Sequence, residues 1–171
     1  MRLKVVYDRM LLLQQAGKPH RVTETRRAVE NQEVELFVSE EVLSELGDVL
    51  TLAKVRARFP ALTDARAARF GDELRRMATV VPDVPHVFTV ERDPKDSKYV
   101  DLAIKGQATY LVTRDKDLLE LKDQEKGQPQ ELREAVPNLQ ILTPQKLVAV
   151  LEHEQYQKQQ HEQEPGLDIE P

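Results

Sequence analysis

What the chain lacks narrows its chemistry first. Its 171 residues include no cysteine. That excludes a disulfide framework, a thiolate nucleophile and a zinc–thiolate site, and it fits a reducing, cytoplasmic setting. No apolar run approaches the roughly 18 residues of a membrane helix, and no signal peptide is visible, so no membrane partner is expected. There is no G-x-G-x-x-G turn and no G-x-x-x-x-G-K-[ST] loop to cradle a nucleotide phosphate. The G-x-S-x-G elbow of a serine hydrolase is also missing, and the four histidines do not stand where a triad needs one.

An excess of basic charge is absent too. The net charge of -5 argues at first against a nucleic-acid partner. The acids, however, are unevenly spread. Residues 152–171 hold six of the 30 acids and one of the 25 bases, which leaves 24 of each before them. If several of those acids converge in one pocket, the remaining surface is mildly basic, which permits RNA without implying it.

What is present is an alternation of strands and helices. Leu3–Tyr7, Val34–Val38, Tyr110–Val112 and Leu139–Leu142 read as strands, with one more expected around Val87–Thr89. Helical patterns lie between them: one from Met10 broken at Gly17-Lys18-Pro19, and one over 21–31 with Val22 and Val29 inward. Another follows Ser39, and a two-helix arm over 51–78 is split at Pro60. The arm is rich in arginine and is the best candidate for a phosphate-contacting surface. A last helix starts at Thr143-Pro144 and is expected to end near His153, because the Gln/Glu/His composition beyond cannot build a core. Such alternation predicts an α/β fold with a parallel sheet covered on both faces. The expected division is a folded domain over residues 1–153 and a polar, disordered tail over 154–171.

Five carboxylates fall where such a sheet places ligands. Asp8 follows the first strand, and Asp115 and Asp117 follow the strand at 110–112. Glu45 lies nearer the apolar face of its helix than the neighbouring acids, and Asp96 projects to the centre of the inner face of a later helix, opened at Asp93–Ser97 with Tyr99, Val100, Ala103 and Ile104 inward. Asp101 projects outward on the same wheel. Each has a plainer reading: Asp115 and Asp96 as helix N-caps, Asp117 as a first-turn acid, Glu45 as a boundary residue reaching water. Converging carboxylates are tolerated only when protonated or bridged by a cation, and all-oxygen ligands favour Mg²⁺ or Mn²⁺. A haloacid-dehalogenase-type phosphatase would need an acid two residues after Asp8, where Met10 stands.

The segments Lys4–Asp8, Val38–Leu46, Arg92–Tyr99, Tyr110–Leu119 and Leu139–Pro144, in this order, resemble a PIN-domain protein, in particular the PIN toxins of toxin–antitoxin systems. The resemblance implies a three-layer α/β/α sandwich on a mostly parallel sheet, and metal-dependent cleavage of single-stranded RNA. It implies an acidic quartet of Asp8, Glu45, Asp96 and Asp115, with Asp117 as an auxiliary metal acid. A homodimer and, in many members, a cognate antitoxin are implied as partners. Arg9, Arg114 and Lys116 are the residues expected to meet RNA phosphates near the pocket. PIN proteins usually follow the first Asp with Thr or Ser and often Asn, whereas Arg9 and Met10 stand here. A PIN module that binds RNA or a protein without cutting it is therefore the alternative.

Overall fold

The computed structural model describes residues 2–19 and 23–163. Five parallel strands form the sheet: β1 (Leu3–Tyr7), β2 (Val34–Val38), β3 (Thr79–Val80), β4 (Tyr110–Val112) and β5 (Gln140–Leu142), in the order β3-β2-β1-β4-β5. The strands are short and apolar; Val5, Val6, Leu36, Val38, Leu111 and Val112 are all buried, as strands covered on both faces must be. Around them lie α1 (Arg9–Gly17), α2 (Glu24–Glu30), α3 (Glu40–Val49), α4 (Ala53–Arg58), α5 (Asp64–Met77), α6 (Ser97–Gly106), α7 (Lys116–Leu119), α8 (Pro129–Ala135) and α9 (Pro144–Gln163). The result is the expected α/β/α sandwich, with the sheet wholly parallel.

Several starts follow from capping chemistry. Thr23, Ser39 and Thr63 each accept a backbone N–H three residues on, opening α2, α3 and α5. Gly17 ends α1 at the expected break and lets the arm close onto it. A side chain there would meet the Phe59 ring at 2.5 Å. Arg66 of α5 reinforces that contact by donating to the carbonyl of Ala16 at 3.2 Å, satisfying the end of α1. This arginine of the arm is thus a docking residue and not a free phosphate contact.

Three features differ from the sequence expectation. Residues 87–89 are irregular, and the strand lies earlier, at Thr79–Val80 beside β2. The last helix runs ten residues past His153, to Gln163, because Gln, Glu and Lys are good helix formers even without a core to bury. Asp101, projected outward, is buried at 4% exposure. The segment before α6 folds over it: Asp101 accepts the Val87 and Phe88 N–H groups at 3.0 and 2.9 Å, and Ser97 accepts that of Val90 at 2.9 Å. Helical projection alone does not register a strap laid across the helix from outside. Val22 and the stretch 164–171 of the expected tail lie outside the described residues.

Candidate active site

The strand order places the site. From β1 the chain moves outward through β2 and β3 on one side, while β4 and β5 lie on the other, so the order reverses between β1 and β4. Crevices at such reversals open beyond the carboxyl ends of the strands. Tyr7 pairs in register with Val112, so the next residues, Asp8 and Thr113, emerge side by side.

Asp8 is the N-cap of α1, its Oδ1 accepting the Leu11 N–H at 3.0 Å. Its Oδ2 accepts the hydroxyl of Thr113, which is fully buried. Thr113 Oγ1 in turn accepts the Asp115 N–H at 2.9 Å, so one hydroxyl couples the two acids. Burial pushes the Asp8 carboxyl above its ordinary range; the Thr113 and Leu11 hydrogen bonds oppose this, and the Asp115 charge adds to it. Asp115 also caps α7, accepting the Asp117 N–H at 2.7 Å. Asp8 and Asp115 are thus both helix caps and both bonded to Thr113.

Asp96 arrives from another direction, on a 3₁₀ turn at Pro94–Asp96 that leads into α6. It occupies the N-cap position of α6 but makes no cap hydrogen bond. Its Oδ2 is buried without a partner among the described residues. Burial, followed by the charges of Asp115, Asp93 and Asp8, pushes its carboxyl up to about 7 against the opposing charge of Arg9. Three aspartates far apart in sequence therefore share one electrostatic field.

Glu45 is set apart from them. Arg9 Nη1 lies 3.6 Å from its Oε1, Lys98 pairs with its Oε2, and the Tyr99 hydroxyl donates to Oε1 at 3.4 Å. Asp117 turns to Arg92, whose Nε is 3.1 Å away and which also binds Glu120 at 2.6 Å. Arg114 donates to Gln14 at 3.0 Å, and its charge partly offsets the upward shift of Asp8. Lys116 is exposed at the start of α7. The structure thus couples Asp8 and Asp115 through Thr113 and sets Asp96 within reach of their charges, and it ties Glu45, Asp117 and Arg9 into ion pairs.

Among the described residues, no three His, Asp or Glu side chains close on a common point as a ready-made metal site. The donor chemistry nevertheless fits a divalent cation. Three mutually repelling carboxylates, one with an orphaned buried oxygen, present what such an ion neutralises. Sequence reasoning missed Thr113 as the link between acids and Lys98 and Tyr99 as holders of Glu45. Thr113 lay within the quoted motif; its pairing with Asp8 needed the β1–β4 register.

The sequence profile of the PIN domain family matches residues 4–117, two-thirds of the chain, a span that includes Asp8, Glu45, Asp96, Asp115 and Asp117. The chain belongs to the PIN domain family. Its members are in general nucleases and typically depend on divalent metal. No curated protein and no solved structure matches the chain at a significant level. Among the described residues, no helix is long and apolar enough to cross a membrane.

Proposed function

We propose that this PIN domain is a metal-dependent endoribonuclease that cleaves single-stranded RNA and serves as the toxin of a toxin–antitoxin pair. The observation that carries the reading is the partnerless, buried Oδ2 of Asp96 in the field of Asp8 and Asp115 at the sheet's reversal point. Asp8, Asp96 and Asp115 would hold Mg²⁺ or Mn²⁺. Such an ion supplies an activated water and charge stabilisation for in-line displacement at a phosphodiester. The chain's own contribution is positional: Thr113 orients Asp8 through its hydroxyl and Asp115 through its backbone N–H.

A groove of about 670 Å³ beside the acids supports an RNA substrate. Arg9, Lys54, Arg58, Lys95 and Lys98 line it over an apolar floor that includes Leu13 and Phe59, and Glu45 is the one acid among its described lining residues. A single strand can lay phosphates along such cations and bases on such a floor. The homodimer and the cognate antitoxin come into the proposal from the PIN toxins that the sequence resembles, as does a cytoplasmic place of action.

The second reading, a module that binds RNA or a protein without cutting, draws on Arg9, which occupies the residue after Asp8 and is spent on Glu45. The test is purified protein with a single-stranded RNA and Mn²⁺, alongside Asp96→Asn. The nuclease reading expects the variant to lose at least about 100-fold in rate, as removal of a metal-holding group does. Equal cleavage by both proteins would expose a contaminant. No cleavage by either, with RNA still retained, selects the binding module.

A further inference from the structure

Arg9 follows Asp8 as the first residue of α1, yet its guanidinium reaches across to α3. Glu45 on α3 has both oxygens engaged: Oε1 by Arg9 at 3.6 Å and by the Tyr99 hydroxyl at 3.4 Å, Oε2 by Lys98. Two positive charges therefore sit on one half-buried carboxylate in the groove that Arg9, Glu45 and Lys98 line. A dication bound to Glu45 would face both of them at close range, and like charges there repel. The aspartates differ. Asp96 carries an unpartnered oxygen and is reached by the Arg9 charge without being paired to it, whereas both Glu45 oxygens are ion-paired.

We infer that Arg9 and Lys98 are built-in cations of this site. They hold Glu45 as a positioning residue, exclude it from metal ligation, and leave the three aspartates to take a single divalent ion. The inference rests on the metal-site reading above and goes beyond it by fixing the ion count and the role of Glu45. Arg9, which breaks the usual pattern after the first Asp, then substitutes for charge compensation that a second ion would give. It also gives Glu45 a function that needs no metal: presenting two cations to the groove that both of them line.

Stoichiometry tests it independently of activity. Free Mn²⁺ is titrated against the full chain and counted by its electron paramagnetic resonance signal. One ion per chain is expected for the wild type, and Glu45→Gln should keep that one ion with an affinity within about twofold. The double variant Arg9→Thr/Lys98→Gln frees Glu45 and should admit a second ion, which adding Glu45→Gln should remove again. Circular dichroism and melting confirm that each variant is folded, and Glu45→Gln alone decides if the double variant is not. Two ions on the wild type, or a tenfold loss of Mn²⁺ affinity in Glu45→Gln, overturns the inference while leaving the nuclease reading intact. A wild type that binds no Mn²⁺ at all overturns both.

Discussion

Asp96 and Asp101 stand five residues apart, at the start and in the middle of the same helical stretch, and they are buried in opposite ways. Asp101 is surrounded by donors: two backbone N–H groups at 3.0 and 2.9 Å, and His86 Nδ1 at 2.8 Å. Asp96 has an oxygen out of water with no donor among the described residues, and the charges of Asp115, Asp93 and Asp8 outweigh that of Arg9 on it. Five residues turn a helix by about 140°, so the two acids face different surroundings. The difference separates an acid buried to hold the fold from one buried for something the fold itself does not supply. Burial alone says nothing about which is which; the count of donors does.

Replacing each acid by alanine should break that comparison most sharply, with opposite signs. Asp101→Ala strands two backbone N–H groups and unfastens the strap over α6, a loss of about 2–4 kcal/mol. For a chain of this size that lowers Tm by roughly 4–16 °C in a thermal melt. Asp96→Ala, measured in chelator, removes a repelled charge and should leave Tm unchanged or higher. Comparable destabilisation by both would mean that Asp96 is also a structural acid, and the site would lose its central observation.

Divalent ions sharpen the same contrast at a smaller magnitude. Millimolar Mg²⁺ or Mn²⁺ stabilises the folded state by linkage, by about 2.7 kcal/mol at a hundredfold excess over Kd. Wild type and Asp101→Ala should gain equally in Tm, whereas Asp96→Ala should gain little. Thr113→Val comes next in size. It removes the hydroxyl that Asp8 accepts and the oxygen that receives the Asp115 N–H. A loss of about 1–2 kcal/mol is expected, with weaker Mn²⁺ binding as the second readout. Destabilisation with unaltered Mn²⁺ affinity would make Thr113 a core residue only.

Much of this arrangement was legible in the sequence because it lies at element boundaries. Asp8, Asp96 and Asp115 each follow an apolar strand or open a helix, and the strand-after-strand pattern places such ends on one edge of a parallel sheet. Glu45 was legible only as an acid at a core edge. Its neutralisation depends on Arg9 and Lys98 meeting it from α1 and α6, which no local pattern encodes. Asp101 was read as solvated because a helical wheel describes a helix by itself, and the irregular strap with Pro82 and Pro85 gives no periodic signal of where it lies. The Gln-rich end of α9 marks the reverse case: composition said what it could not bury, and helix propensity decided what it formed.

The smallest effect is also the one whose sign is least ordinary. The Asp96 carboxyl is raised from 3.8 to about 7 in the folded chain, so between those values the folded state holds a proton that the unfolded chain has released. Stability of the metal-free protein must then rise as pH falls from 8 toward 5, the reverse of an ion-paired carboxylate. Asp8, also raised by burial, acts in the same direction. The lowered carboxylates Glu40, Glu120 and Asp123 lose their partners' benefit only below the ordinary carboxylate range, outside this window. Subtracting the Asp96→Ala curve from the wild-type curve, both in chelator, removes the histidines and isolates Asp96. With saturating Mg²⁺ the slope should invert, because protons then compete with the bound ion. A difference curve that instead falls on acidification in chelator would show Asp96 satisfied by a partner, and would place it in the same class as Asp101.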